Sequence, residues 1–364
     1  MSSLPNKTRV LVLKESPARD SPLYHDIVIE ERVIPTLKEG EILVKMGAVS
    51  YNRRELWMRR GLYPGIVLGV TLGADGAGMV VASADKDDSP LNKRVFLVPM
   101  KGWESSPDAP ELISAFVIIG GTRLSGTFAD YVVVERDGVI QTPDHLDDIH
   151  MAAWPLGGVT AWRATVVNAQ VTKGQSVLVT GIGGGVALLA VQICVAKGVN
   201  VYVTSGSEDK IQKAIQLGAR GGVNYKNREW SSQLAKLIEQ NTGNGTPQLD
   251  AVIDSAGGDI MKQVNKILKP GGRVVVFGMT ATPVIKFTMH EVLKHHRLIG
   301  STMGSRKDLI DATEFLAEHQ IVPVVSHVLE GLDSAEEGFE LLKNGEQFGK
   351  VVIRMGNLKA KASL

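Results

Sequence analysis

A cluster of glycines between an apolar strand and an apolar helix carries the clearest chemical signal in the sequence. The β-favouring run 177–180 is followed by four glycines and then a valine: Gly181, Gly183, Gly184, Gly185 and Val186. Glycines let the backbone approach a pyrophosphate, and the N-terminus of the next helix offers unpaired N–H groups and a partial positive charge. Strand, glycine turn and helix in this order predict the first half of a dinucleotide-binding βαβ unit.

Two registers of the glycine fingerprint fit this turn. One is Gly181-x-Gly183-x-x-Val186, and the other is Ile182-x-Gly184-x-x-Ala187. Neither contains three glycines, although alanine at the third place is small enough for close packing of helix on strand. A glycine-rich turn that binds no ligand stays open as the alternative.

The end of the next predicted strand indicates which dinucleotide is bound. An NAD enzyme usually places a carboxylate there for the ribose hydroxyls, whereas this strand ends at Ser205, followed by Ser207 and Lys210. Hydroxyls and an ammonium can hydrogen-bond and neutralise a 2′-phosphate, so we predict NADP in preference to NAD. Ser207 could equally serve as a helix N-cap and Lys210 as a solvated side chain, and the two interpretations are compatible.

The pattern of elements around this turn predicts an α/β fold in two domains, because 364 residues are enough for two cores. Residues 1–150 contain short β-rich runs separated by Pro, Gly and charged turns, with a long Pro/Ser/Gly-rich loop at 101–123. From about residue 155, strands and helices alternate, which implies a doubly wound parallel sheet covered by helices on both faces. A helix at 308–318, a strand at 322–328, a helix at 334–343 and a strand at 350–353 form a tail that we expect to pack on the N-terminal β domain.

Composition excludes several other classes of protein. The chain is 44% hydrophobic and 22% charged with a net charge of +1, and no basic stripe is present, so we expect no nucleic-acid partner. The single cysteine, Cys194, lies in an apolar helix and predicts a buried thiol. No apolar run is long enough to span a membrane and residues 1–7 lack a secretory core, so we expect no membrane partner and a cytoplasmic location.

Six short runs carry a further signal through their order and spacing: 73–78, 126–131, 155–162, 177–186, 254–258 and 349–351. Together they resemble the motifs of the medium-chain dehydrogenase/reductase superfamily, and most closely those of its zinc-free quinone oxidoreductase and zinc-type alcohol dehydrogenase-like branches. The resemblance covers nearly the whole chain. It implies a GroES-like β-rich catalytic domain (residues 1–154 plus 298–364) into which a Rossmann dinucleotide-binding domain (155–297) is inserted.

The chain departs from this family at the positions of the catalytic zinc ligands. Where zinc alcohol dehydrogenases carry Cys, His and Cys, it has Asn52, Ala74 and Leu156, and the four-cysteine structural zinc lobe is missing. Zinc needs thiolate, imidazole or carboxylate donors. The adjacent His295 and His296 lack ligand spacing, so we predict no metal.

The resemblance also implies a set of residues around the cofactor. Gly184 and Gly185 would bracket the pyrophosphate. Ser205, Ser207, Lys210 and Tyr225 would surround the 2′-phosphate. The nicotinamide would be met by Thr160, Gly278, Met279, Ser301 and Met303, and Lys350 is a further candidate for cofactor contact.

Without a Lewis acid, reduction of a quinone or an α,β-unsaturated carbonyl is easier than oxidation of a simple alcohol, because the acceptor delocalises the hydride charge onto its own oxygen. Three side chains could donate to that oxygen: Tyr51, Asn52 and Tyr63. We therefore predict an NADPH-dependent, zinc-independent reductase acting on a small molecule. A metal-free alcohol or carbonyl dehydrogenase and a non-catalytic NADPH-binding protein stay open as alternatives. Relatives are often dimers joined through the Rossmann domain, so we expect a homodimer.

Overall fold

The computed structural model describes residues 4–16, 23–85, 90–242 and 248–356. Residues 1–3, part of the segment behind the expected cytoplasmic location, lie outside these ranges. The chain forms two compact units. The first consists of Met1–Leu156, Ser305–Ile310 and Val322–Leu364, and the second of Gly157–Gly304 and Asp311–Ile321.

The N-terminal part of the first unit is mostly strand. In chain order its strands are β1 (Lys7–Lys14), β2 (Asp26–Val33), β3 (Glu41–Ser50), β4 (Asp75–Ser83), β5 (Arg94–Leu97), β6 (Met100–Lys101), β7 (Val117–Ile118), β8 (Tyr131–Glu135) and β9 (Val139–Gln141). Helix α1 (Arg53–Arg59) follows β3, and helix α2 (Asp148–Ala152) follows β9. The Asp147 side chain accepts from the backbone N–H of His150 and so caps α2. Between residues 101 and 123 the short β6–β7 pair is the regular structure.

The central part of the chain alternates strand and helix, as its sequence predicts. Its helices are α3 (Pro155–Trp162), α4 (Gly185–Ala196), α5 (Glu208–Gln216), α6 (Trp230–Thr242), α7 (Ile260–Val264), α8 (Met289–Leu293) and α9 (Arg306–Glu318). Its strands are β10 (Ser176–Val179), β11 (Asn200–Ser205), β12 (Gly221–Asn224), β13 (Leu249–Asp254), β14 (Gly257–Gly258), β15 (Leu268–Val276), β16 (Thr282–Ile285) and β17 (Arg297–Gly300). Helix α3 continues into a π-helical stretch, Arg163–Asn168.

Six of these strands form one parallel sheet in the order β12-β11-β10-β13-β15-β17. Val177 of β10 lies opposite Val201 of β11 on one side and opposite Ala251 of β13 on the other. All four residues of β10 are buried, because a central parallel strand is covered on both faces. The chain reverses direction across the sheet between β10 and β13, which is the doubly wound Rossmann order. The predicted fold class is confirmed.

The end of the chain returns to the first unit through β18 (Val325–Glu330), α10 (Ala335–Asn344) and β19 (Lys350–Arg354). Strand β19 lies between β18, to which it is parallel, and β3, to which it is antiparallel, in a seven-stranded sheet. The Tyr51 ring packs edge to face against Phe128 and against Phe339 in one buried hydrophobic cluster, which also contains residues of β3 and β19. The C-terminal residues are therefore part of the N-terminal β-rich core.

Three local features differ from the sequence-based expectations. The predicted domain boundary after residue 297 falls inside β17, which belongs to the parallel sheet. The predicted helix 259–268 is reduced to α7. The predicted turn 269–272 lies within β15, where Leu249 pairs with Leu268 but Ala251 pairs with Arg273. The extra residues bulge outward around Gly271, whose φ is +74°.

Of the three residues that the sequence singled out outside these motifs, Cys194 and His296 are buried and His295 is exposed. Cys194 is buried, and burial raises the pKa of its thiol to about 12. His296 is 5% exposed, and its Nε2 lies 3.3 Å from the carbonyl oxygen of Leu268. No helix within the described ranges is both long and apolar enough to cross a membrane.

Candidate functional site

The glycine turn of the second unit leaves a backbone surface open at the carboxyl end of β10. Gly181 has φ +65° and Gly183 φ +142°, conformations that other residues rarely adopt. The N–H groups in the first turn of an α-helix have no intrahelical acceptor, and Gly184, the N-cap of α4, offers them no side-chain acceptor. A Cβ on Gly184 would meet no protein atom within 4 Å. These features fit a pyrophosphate placed at the N-terminus of α4.

The ends of β10 and β13 are joined by side chains that the sequence-based prediction missed. Thr180 Oγ1 donates to Asp254 Oδ1 at 2.6 Å, and the N–H of Ser255 donates to Thr180 Oγ1 at 3.1 Å. Asp254 is fully buried and burial raises the pKa of its carboxyl group. A Cβ on Gly181 would lie 2.6 Å from Ser255 Oγ, so glycine is needed at 181 for this close approach. The signal in the sequence was the carboxylate at the end of the strand.

The residues predicted near the nicotinamide fall into two groups. Thr160 Oγ1 lies 3.9 Å from the sulfur of Met303, and both side chains are buried. Ser301 Oγ accepts from Asn168 Nδ2 at 3.0 Å. Gly278 follows β15, close to the backbone of Ser255, and Met279 beside it is 44% exposed. The structure thus pairs Thr160 with Met303 and places Gly278 beside Ser255, the residue that also approaches Gly181.

At the end of β11, two neighbouring side chains lie close to Gly206. A Cβ on Gly206 would lie 2.8 Å from the Tyr225 hydroxyl and 2.9 Å from Lys226 Cε. The N–H of Tyr225 donates to the carbonyl oxygen of Ser205 at 3.1 Å, which ties the end of β12 to the end of β11. Lys226 is a cation that the sequence-based prediction did not include. Its nearness to a predicted 2′-phosphate residue appears only when β11 and β12 are paired.

The other three residues predicted to bind the 2′-phosphate differ in their burial and in their hydrogen bonds. Ser205 is 3% exposed, and its hydroxyl donates to the Ile182 carbonyl and accepts from the N–H of Ser207. The Ser205 hydroxyl therefore braces the glycine turn, which argues against a direct contact with phosphate. Ser207 is the N-cap of α5 but makes no side-chain capping bond. Lys210 lies in the first turn of the same helix.

In the first unit, Asn52, Asp75 and Lys350 form a closed cycle of hydrogen bonds. Lys350 Nζ donates to Asn52 Oδ1 at 2.6 Å and to Asp75 Oδ2 at 2.9 Å, and Asn52 Nδ2 donates to the same Asp75 oxygen at 2.9 Å. The other Asp75 oxygen accepts from the N–H of Leu156 at 2.7 Å. Their exposed fractions are 9%, 0% and 4% for Asn52, Asp75 and Lys350. We call these three side chains the polar triangle.

A second buried ion pair supports the polar triangle from α1. Glu55 Oε2 accepts from the N–H of Asn52 at 2.7 Å, and Glu55 Oε1 accepts from Arg54 Nη1 at 3.0 Å. Burial raises the pKa of the Glu55 carboxyl group, and the Arg54 charge opposes that rise. Arg54 also donates to the carbonyl oxygens of Ile119 and Gly120. Two cations and two carboxylates thus share one buried, electrically neutral region.

The two tyrosines predicted as donors occupy different environments. Tyr51 is 1% exposed, and its hydroxyl donates to the Ala335 carbonyl oxygen at 2.9 Å. Burial raises the pKa of Tyr51 well above its ordinary value. Because this hydroxyl is both buried and engaged, the structure argues against a role for Tyr51 as donor to a substrate. Tyr63 is half-buried, with the Arg54 guanidinium 5.0 Å from its ring centroid, so its hydroxyl stays a candidate.

Comparison with known proteins identifies the class to which this architecture belongs. Residues 38–144 match the model of the alcohol dehydrogenase GroES-like domain, and residues 185–318 match that of the zinc-binding dehydrogenases. A zinc-type alcohol dehydrogenase-like protein, YogA of Leptosphaeria maculans, is 39% identical over 358 residues, which covers 95% of this chain and 99% of the relative. The crystal structure of an NAD-dependent alcohol dehydrogenase is 31% identical with a TM-score of 0.82, covering 96% of this chain and all of that one.

A crotonyl-CoA carboxylase/reductase solved with NADP shares the fold at 18% identity, with a TM-score of 0.83 and coverage of 97% and 96% of the two chains. The two family models and the relatives of 39% and 31% identity make the chain an oxidoreductase. The chain belongs to the medium-chain dehydrogenase/reductase superfamily.

The zinc that many members of this family carry does not fit the residues present here. The three positions offer an amide, a methyl and an isobutyl group, from Asn52, Ala74 and Leu156. The one oxygen among them, Asn52 Oδ1, accepts from the Lys350 ammonium, and a second cation there would be repelled. Within the described residues, no three His, Cys, Asp or Glu side chains are grouped to hold a metal.

Proposed function

We propose that this protein is a zinc-independent, NADPH-dependent reductase of quinones or α,β-unsaturated carbonyls. The observation that carries the proposal is the Lys350 ammonium bonded to Asn52, at a position where zinc-dependent relatives hold their metal. An acceptor that spreads the charge of an incoming hydride onto its own oxygen needs hydrogen-bond donors and no Lewis acid.

The preference for NADPH is supported by the charges at the end of β11. Tyr225 and Lys226 lie over Gly206, and Lys210 is in the first turn of α5. A phenol hydroxyl and two ammonium groups suit a dianionic 2′-phosphate. Glu208 is directed to the Asn224 amide at 3.0 Å, so its carboxylate is already engaged.

The residues divide the chemistry between binding and polarisation. When bound, NADPH supplies the hydride. The turn 181–185 holds the pyrophosphate through backbone N–H groups, while Thr160 and Met303 are candidates for the nicotinamide end. Asn52, and Tyr63 if its hydroxyl reaches the acceptor, donate to the acceptor oxygen. A quinone that accepts this hydride becomes the hydroquinone monoanion, which takes one proton from water.

The proposal is tested by assaying the purified protein with NADPH and with NADH on three substrates: a quinone, a 2-alkenal and a primary alcohol. We expect NADPH oxidation with the quinone or the alkenal, no loss after treatment with a chelator, and substoichiometric zinc by elemental analysis. Stoichiometric zinc in protein from metal-replete medium would contradict zinc independence. Tight NADPH binding without turnover on any acceptor would indicate the non-catalytic alternative.

A metal-free alcohol or carbonyl dehydrogenase is the second candidate, because the relatives of 39% and 31% identity carry alcohol dehydrogenase names. Alcohol-dependent reduction of NADP⁺ or NAD⁺ that survives chelation would favour it over the reductase. Preferential use of NADH would contradict the assignment of the 2′-phosphate residues.

We also infer a homodimer formed through the second unit. Strand β17 is at the edge of the parallel sheet, and seven of the 23 exposed large apolar side chains of the described residues lie between residues 279 and 298. An open strand edge with an adjacent apolar surface favours a second copy related by a two-fold axis, since the same edge can pair with itself.

A further inference from the structure

The polar triangle contains two N–H groups with no acceptor in the described part of the chain. An ammonium has three N–H donors, and Lys350 uses two of them, on Asn52 and on Asp75. The Asn52 amide has two, and it uses one on Asp75. Both side chains are at least nine-tenths buried, where an unmade hydrogen bond to a charged group is costly.

The cycle of hydrogen bonds fixes how both donors are presented. Because Lys350 can only donate, Asn52 must turn Oδ1 toward it and Nδ2 toward Asp75. Asp75 is itself held by the N–H of Leu156 and by Thr127, whose hydroxyl donates to the Asp75 carbonyl oxygen at 2.7 Å. The two remaining N–H groups therefore belong to side chains that cannot rotate without breaking the cycle. Such preorganised donors are what stabilises an oxygen on which negative charge develops.

We propose that Lys350 and Asn52 form a donor pair for the carbonyl oxygen of the acceptor, with the Lys350 ammonium supplying the positive charge that zinc supplies in zinc-dependent relatives. Lys350 was expected to contact the cofactor, and this inference assigns it to the substrate oxygen instead. It rests on the proposed function and adds to it the residues that polarise the acceptor. Asp75 is a positioning residue, because it acts only through the other two.

The reaction step balances without covalent participation by the protein. The β-carbon of an enone gains a hydride, the electron pair of the C=C bond moves to form the enolate, and the pair of N–H donors holds the enolate oxygen. The α-carbon then takes a proton from water, so that the products are the saturated carbonyl compound and NADP⁺. Lys350 keeps its proton throughout.

The kinetic test compares K350M with the wild type on the alkenal or quinone that is turned over. Methionine keeps the length of the side chain and removes the charge. We expect kcat to fall by roughly 100-fold, the cost of one oxyanion donor, with the Kd for NADPH unchanged. K350R should recover part of kcat, because a guanidinium also donates and is positive. The matched control is K269M, which removes the ammonium paired with Asp250 in the second unit and should leave kcat unchanged.

A binding test needs no turnover. The probe is 4-nitrophenol, a coloured mimic of an enolate, titrated with the protein alone and with NADP⁺ present. We expect bound probe to ionise more readily than free probe, with its pKa lowered by about one unit, which is a tenfold preference for the anion. K350M should abolish the shift. N52S, which shortens the donor and leaves the buried charges paired, should reduce it and serves if K350M does not fold.

The outcomes separate this inference from the proposed function. If the pKa of the probe is shifted but the protein reduces no acceptor, the donor pair is supported and the proposed reductase function is wrong. Undiminished turnover in K350M, together with an unshifted probe, overturns the donor pair and leaves the reductase. A K350M variant that loses NADPH affinity but keeps kcat assigns Lys350 to the cofactor, which also overturns it.

Discussion

At the scale of single residues, the contrast between Tyr51 and Asn52 is the most informative. They are neighbours in the chain, yet the Tyr51 hydroxyl donates to a backbone carbonyl oxygen in the core, whereas the Asn52 amide belongs to the polar triangle. Sequence reasoning placed both on the substrate side. Two features decide that Tyr51 faces the apolar core: the alternation of side chains at the end of β3, and helix α10, which covers that end. Helix α10 lies almost 300 residues later in the chain.

Tyr51→Phe therefore tests a structural role. The change leaves the Ala335 carbonyl oxygen without its buried donor, so we expect the free energy of unfolding to fall by about 1 kcal/mol. Turnover should be unchanged, since the ring and its edge-to-face contacts with Phe128 and Phe339 remain. Denaturant unfolding and steady-state kinetics on the same preparation measure both quantities. A large loss of kcat with normal stability would restore Tyr51 as a donor.

At the scale of elements, the proposed function assigns the pyrophosphate to the turn after β10 and the 2′-phosphate to the turn after β11. Gly184→Ala adds a methyl group where no protein atom lies within 4 Å, so folding should be unaffected. In the proposed binding mode that methyl group would meet the pyrophosphate, so we expect the affinities for NADPH and NADH to fall together. Equilibrium binding by fluorescence or calorimetry gives both constants.

Gly206→Ala should act on one cofactor only. Its methyl group would lie within 3 Å of the Tyr225 hydroxyl and Lys226 Cε, so these side chains must move off their positions. We expect the Kd for NADPH to rise about tenfold, the value of one charge-assisted hydrogen bond, while the Kd for NADH stays the same. An equal loss for both cofactors would contradict the assignment of the 2′-phosphate to this end of β11.

Within the long loop 101–123, one carboxylate holds a group of backbone N–H groups. The Glu111 carboxylate accepts from the N–H groups of Ser105, Ser106 and Glu104, which lowers the pKa of Glu111 from 4.5 to about 2. Because the pKa of Glu111 is lower in the folded protein, the stability that these hydrogen bonds contribute is fully present above pH 4.5 and is lost as the pH falls toward 2. The protection factors of these amides in hydrogen exchange, which are the exchange rates corrected for the intrinsic pH dependence of exchange, should fall over that range. E111Q should show lower protection of these amides already at neutral pH. Unchanged exchange in that variant would show that the Glu111 carboxylate does not hold them.

At the scale of the whole molecule, the open edge of β17 predicts a two-fold dimer. M289K/L293K places charges on side chains that are 64% and 72% exposed, so the fold should tolerate them while the apolar contact between copies is lost. Light scattering after size-exclusion chromatography should show a dimer for the wild type and a monomer for this variant. The control is L112K/I113K, an equally exposed apolar pair in the first unit, which should stay dimeric. A wild-type monomer at all concentrations would refute the dimer.

The parallel sheet and the glycine turn were predictable because their signals are local. Strand, turn and helix are contiguous from Val177 to Ala196, and alternation with the next strand and helix specifies the topology. The polar triangle was not predictable, since its three members come from three separate strands or strand ends and meet only through antiparallel pairing. Lys226 was missed because its nearness to Gly206 arises from the parallel pairing of β11 with β12. Strand β17 was missed because a run of four residues that begins with Arg297 has little periodicity.

The polar triangle also has a consequence for the order of folding. Asn52 and Asp75 are separated from Lys350 by 298 and 275 residues, so the cation reaches its partners through the longest loop closure in the cycle. Until β19 pairs with β3, Asp75 lacks its counter-charge, and a carboxylate cannot be buried alone without a large penalty. We therefore expect the β-rich unit to remain open and hydrated around Asp75 during synthesis. A nascent chain that lacks its final strand should then have a folded dinucleotide half and no substrate chemistry.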